Sequence, residues 1–139
     1  MQPTQEKCVL ILDRQLPPGL LANTAAILGV TLGKTLPQIV GDDIRDSSGT
    51  FHPGIIRFPV PVLAVDADDL KALRGRLLAP EFSALTVLDF SQLAQSCKTY
   101  GDYLRRMAAT PETDLRYLGL AICGDRHTVN RLTGNLPLL

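Results

Sequence analysis

The chain has 139 residues, with 14 Lys plus Arg against 14 Asp plus Glu, a formal net charge of zero and a pI near 6.7. That length suits one domain, which commonly runs to about 100–150 residues, and 45% hydrophobic content supplies a core without disulfide or metal staples. Balanced charge excludes a strongly basic nucleic-acid binder, and the absence of a leader pattern or a membrane-length apolar run points to a soluble cytoplasmic protein.

Cys8-Val-Leu-Ile-Leu12 is a continuous apolar run, the pattern of a strand buried on both faces. Asp13 closes it, and Gln15-Leu-Pro-Pro-Gly19 forms a turn whose prolines suit a helix start. A helix follows from Leu20 to Leu32, with Leu21, Ala25, Leu28 and Leu32 on one face and Leu20, Ile27 and Val30 on the other; Gly33 ends it. Such a helix is buried on more than one side, under the sheet and a loop or in an oligomer. Gly41 to Gly54 is a polar loop, long enough in a small domain to suggest function. Pro59 and Pro61 make the next segment an edge or bulge, with a true strand from Val62.

Asp66 suits the N-cap of a helix carrying Leu70, Leu73 and Leu77 on its apolar face. A short strand, Leu85-Thr-Val-Leu88, comes next. From Ser91 a helical stripe runs through Leu93, Cys97, Tyr100, Leu104 and Met107, and Gly101 is a point where it can split. Tyr117 to Cys123 is the last strand, Asp125 to Thr133 a short helix, and Gly134 its stop. The alternation of strands and helices gives a single α/β domain over residues 1–139, with a small mixed or parallel sheet covered on both faces.

Cys8, Cys97 and Cys123 are odd in number, far apart and free of any C-x-x-C pairing, so they read as buried core thiols in a reducing compartment. With only His52 and His127 beside them, no zinc-ligand cluster or cysteine-nucleophile motif forms, and no metal or cofactor is implied.

Two stretches carry a family resemblance. Val9 to Asp13 followed by Leu16-Pro-Pro-Gly-Leu-Leu-Ala-Asn-Thr-Ala-Ala26 resembles the strand-turn-helix opening of the type II peptidyl-tRNA hydrolases. Leu118-Gly-Leu-Ala-Ile122 with Val129-Asn-Arg-Leu-Thr-Gly-Asn-Leu-Pro-Leu138 resembles that superfamily's last strand, last helix and tail. The chain is most similar to an uncharacterised branch, small bacterial proteins of unknown function with the type II hydrolase fold, to which the loop Asp46-Ser-Ser-Gly-Thr-Phe-His-Pro-Gly54 also conforms. The resemblance implies a three-layer α/β/α fold with a four-stranded mixed sheet, and a homodimer. The enzymes' Gly-Lys-x-Ala-Ala-Gln-x-x-His pattern is not kept: Leu20, Thr24 and Ile27 stand at its lysine, glutamine and histidine positions, and Arg116 replaces a threonine before the last strand. Leu and Ile cannot bind or polarise an ester. The expectation is therefore the fold without the hydrolase activity, and no tRNA substrate.

Four expected strands are followed by aspartates. Asp66, Asp89 and Asp125 fit helix caps, whereas Asp13 precedes a Pro-Pro turn and is the better functional candidate. Asn23 lies in an apolar helix, where it either contacts a ligand or bonds a neighbouring loop. Asp46 and His52 flank Gly49 and could wall a pocket against the first helix, although the loop matches no calcium pattern. The candidate ligand-binding set is thus Asp13, Asn23, Asp46 and His52. The leading reading is a small-molecule or protein-partner binding member of the superfamily; the alternatives are an acyl-ester hydrolase with a rearranged site and a dimeric interaction module without chemistry.

Overall fold

The computed structural model describes residues 5–139. In chain order its elements are β1 (Glu6–Asp13), α1 (Pro18–Thr35), β2 (Ile44–Arg45), β3 (Phe51–His52), β4 (Val62–Val65), α2 (Ala67–Arg76), β5 (Thr86–Ser91), α3 (Gln92–Ser96), α4 (Tyr100–Ala108), β6 (Tyr117–Asp125) and α5 (Arg126–Thr133). Four strands form one mixed sheet in the order β4-β1-β6-β5, with β1 parallel to β4 and β6 antiparallel to both β1 and β5. The apolar runs of β1 and β6 take the two central positions because only there can both faces be covered.

Helices pack on both faces of the sheet. Val9, Ile11, Leu120 and Ile122 meet Leu70 of α2 and Val129 and Leu132 of α5. On the other face Leu10, Leu12 and Ala121 meet Leu28 of α1. The helix α1 is longer than its sequence suggests: it continues through Gly33 to Thr35, and Gly33 does not take the left-handed conformation that ends many helices, since Gly49 alone has a positive φ among the described residues. Its buried face is the stripe Thr24, Leu28, Leu32, while on its second side Leu20 and Ile27 are half-buried and Val30 is 76% exposed, so that side is only partly covered.

The helix expected from Ser91 is two. Ser91 Oγ caps α3 by accepting from the Ala94 N–H, and Thr99 Oγ1 caps α4 by accepting from the Asp102 N–H. The break therefore falls at Cys97 to Thr99, before Gly101, and Tyr100 and Leu104 end up exposed rather than on a core stripe. A capping threonine supplies a helix start that a purely apolar period cannot reveal. The strand β5 runs on to Ser91, so Asp89 sits inside it, opposite Leu120, and bonds Arg74 rather than preceding a helix. Asp125 caps α5 through the Thr128 N–H.

The cysteines require a correction. Cys8 and Cys123 are buried core residues as expected, but they face each other across β1 and β6 and are joined by a disulfide, leaving Cys97 as the free thiol. Their sequence separation of 115 gives no local spacing from which a pairing could be read. At the outer edge of β4, the tail is laid on as a short antiparallel segment: Leu138 bridges Leu63, and Ala64 N–H donates to Pro137 O at 2.9 Å.

Candidate functional site

The sheet topology sorts the aspartates by end. The strand β6 runs against β1, so Asp125 lies opposite Glu6, at the far end from Asp13. Asp13 pairs with Val65, which brings the carboxyl ends of β1 and β4, with Asp66 beyond them, to one rim; Ser91 and Tyr117 pair at the same rim. Rims of this kind are where open α/β sheets receive ligands.

Asp13 is completely buried. One carboxylate oxygen accepts the Gln15 N–H at 2.9 Å, closing the turn into α1, and the other faces the Arg116 guanidinium at 3.4 Å. Arg116 itself is 56% exposed, so the ion pair spans from interior to solvent. Asp66 stands at the start of α2 but makes no side-chain cap; it bonds Arg14 at 3.0 Å instead.

Beside these pairs lies a cleft of about 450 Å³ walled by Asp66, Asp68, Lys71, Thr113, Arg116 and Tyr117. One wall is fixed by a network. The Lys71 ammonium donates to Glu112 O at 2.5 Å, to Leu115 O at 2.8 Å and to Glu112 Oε1 at 3.2 Å, which uses its three donors. Tyr117 donates its hydroxyl to the same carboxylate at 3.0 Å. These two hydrogen bonds, that from Tyr117 foremost, hold Glu112 below the usual carboxylate range. Burial, followed by the bond to Glu112, pushes the Tyr117 phenol up to about 12. Tyr117 therefore stays protonated near neutrality, and Arg116 is the cleft's cation with donors to spare.

The four candidate residues fall into three bonding groups with no shared partner. Asp13 belongs to the rim just described. Asn23 is exposed on α1 and donates its amide to Gln95 Oε1 at 2.8 Å, tying α1 to the helix α3 rather than to a loop. Asp46 and His52 do meet: His52 Nε2 lies 2.9 Å from Asp46 Oδ2 across the β2–β3 hairpin. Asp46 also accepts the Ser48 and Thr50 N–H groups, and Gly49, at φ 85°, supplies the left-handed turn residue. The His52 contact, ahead of the backbone bonds, lowers the Asp46 pKa. Both side chains are exposed, and their bonds organise the hairpin itself.

Sequence reasoning missed Lys71, Glu112 and Tyr117, which converge only through packing of α2 against the segment before β6. Arg116 did carry a signal, as the residue departing from the hydrolase pattern. At the other departures, Thr24 is wholly buried, with its Oγ1 lacking a hydrogen-bond partner among the described residues, so it cannot reach a solvent-borne substrate. Among the described residues, no three His, Cys, Asp or Glu side chains gather as metal ligands, and no helix is long and apolar enough to cross a membrane.

A family model described as a protein of unknown function, DUF2000, matches residues 6–139. A solved structure of a protein of unknown function from Agrobacterium tumefaciens strain C58 is similar throughout, with a TM-score of 0.86, 20% identity, and coverage of 100% of this chain and 99% of that one. At that identity the likeness concerns the fold alone. No curated protein matches the chain.

Proposed function

Because the chain belongs to the DUF2000 family of proteins of unknown function, we propose its role from its own geometry: it binds a small polar ligand with an anionic group at the rim cleft, with Arg116 as receiving group and Asp13 as its buried anchor. The observation that carries this reading is the Asp13–Arg116 pair. A carboxylate with no exposure, held by one half-exposed guanidinium at the mouth of a cleft, is a poor device for stability, because burying charge offsets most of what the pairing returns. It does keep a guanidinium at the cleft mouth, where its remaining donors can meet a carboxylate or phosphate.

We further propose that the protein is a three-layer α/β/α, type II peptidyl-tRNA hydrolase-like member without the hydrolase activity. A four-stranded mixed sheet with helices on both faces supports the fold. Leu20, buried Thr24 and Ile27 support the loss of chemistry, and the cleft's hydroxyls, Thr113 and Tyr117, include no activated nucleophile. The Cys8–Cys123 bond supports an oxidising environment rather than the reducing compartment expected from the cysteine spacing, since disulfides persist chiefly where conditions oxidise.

Titration of the isotopically labelled protein with inorganic phosphate, acetate and glycine, followed by amide NMR, tests the binding reading. Shifts should map to residues 66–71 and 113–117 and vanish in Arg116→Ala. Shifts elsewhere, or unchanged binding in that variant, would overturn it. Peptidyl-tRNA turnover that disappears in Asp13→Asn would instead favour the rearranged hydrolase.

A second reading is favoured by one observation. Gly29, Leu32 and Gly33 of α1 and Val40, Ile56 and Val60 border an apolar groove of about 330 Å³ together with Ile55, which is 79% exposed. Homodimer formation through this face predicts a dimer mass by light scattering and a monomer in Ile55→Asp; a monomeric wild type would remove it.

A further inference from the structure

On the other side of the sheet, at the β5 edge, a second cleft of about 460 Å³ opens between α1, β5 and the α3–α4 junction. Its size is within the range of about 300–1,000 Å³ typical of small-molecule sites. Its walls are chemically different from those of the rim cleft: Ile27, Phe90 and Ala94 are apolar, and Tyr100 and Tyr103 stand edge to face with ring centroids 5.6 Å apart. Such rings offer flat, rigid contact area to another aromatic system.

The polar groups around this cleft are also selective. Asp89 lines it, but its carboxylate is engaged by Arg74 at 3.3 Å, and Arg106 lies 3.5 Å from the Cys97 sulfur while bonded to Asp102. Lys98, exposed at the α3–α4 break, has no partner among the described residues. Burial, and next the nearby Asp89 charge, raise the Tyr103 pKa, so its phenol remains a hydrogen-bond donor. Aromatic walls, an unpaired ammonium and a donor hydroxyl together fit a ring system bearing a negative charge.

We propose that this cleft binds a small aromatic anion, with its ring against Phe90, Tyr100 and Tyr103 and its carboxylate at Lys98. The site is independent of the rim cleft, sharing no lining residue with it.

Cys97 provides the readout, because it lines the cleft and is the free thiol of the chain. The probe is 2-naphthoate, and the measurement is the rate of Cys97 alkylation by iodoacetamide. Saturating 2-naphthoate should slow the reaction by at least about fivefold, as expected of a ligand that covers the thiol for most of the time. Cyclohexanecarboxylate, which lacks the ring, and 2-naphthylmethylamine, which reverses the charge, should protect far less. Lys98→Glu, a surface change that leaves the core intact, should abolish protection, and Tyr103→Leu should weaken it. Amide shifts should fall in residues 89–103, not 66–71. No slowing at millimolar naphthoate, equal protection by the amine, or protection that survives Lys98→Glu would each overturn the proposal.

Discussion

Thr24 is the residue at which the local chemistry is least satisfied. A hydroxyl with no partner among the described residues, in a position with no exposure, loses its hydration and gets nothing in return. Thr24→Val keeps the shape and removes the polar atom, so it should stabilise the fold by about 1 kcal/mol in urea unfolding. A loss of stability would mean that the hydroxyl is bonded after all. Asp46 offers a second test at this scale. Its folded pKa is depressed, so its contribution to hairpin order is present above the unfolded carboxylate value near 3.9 and is lost as pH falls through the lower folded value. Carboxyl NMR shifts should give Asp46 a midpoint below that of an unpaired aspartate, and His52→Ala, which removes the largest cause, should raise it.

The seating of α1 on the sheet depends on a missing side chain. A Cβ built on Gly119 of β6 would lie 2.7 Å from Leu12 Cδ2 and 2.7 Å from Thr24 Cγ2, both on fully packed side chains. Gly119→Ala should therefore cost about 2 kcal/mol through overpacking. Thr24→Ser, which deletes the clashing methyl, should recover part of that loss in the double variant, a coupling expected of residues in direct contact. Additive unfolding free energies would show that helix and strand separate freely there. Gly119 is the glycine of the Leu118-Gly-Leu120 run, and its missing side chain is what lets α1 approach.

Across the whole molecule, the Cys8–Cys123 bond joins the ends of nearly the entire chain, linking the first strand to the last. In the chain-entropy picture, closing a loop of that length stabilises by up to about 4–5 kcal/mol, and removing a native bond commonly costs about 2–5 kcal/mol. Cys8→Ala with Cys123→Ala should lower the urea midpoint accordingly. Thiol titration of the denatured, unreduced protein should find Cys97 alone; three reactive thiols would refute the bond.

The sequence by itself determined the main apolar elements, though not the length of α1, the break at Cys97 to Thr99 or the exposure of Tyr100 and Leu104. The apolar runs at Val9 to Leu12 and Leu118 to Ile122, the caps at Ser91 and Asp125 and the α2 stripe are local signals, set by hydrogen-bonding and periodicity within a few residues. Only tertiary structure decided which charges meet. Asp13 and Arg116 are 103 residues apart, Lys71 and Glu112 41 apart, and the bonded cysteines 115 apart. Such pairs are created by strand order and register, which follow from how apolar faces pack together and leave no mark on local spacing. Asp46 and His52, six residues apart on one hairpin, stand between these cases: their association was legible, whereas their separation from Asp13 and Asn23 was not. The zero net charge likewise concealed its arrangement, since at the rim Asp13 pairs with Arg116 and Asp66 with Arg14, while Lys71 spends its donors on Glu112 and Leu115 and Arg116 keeps donors to spare.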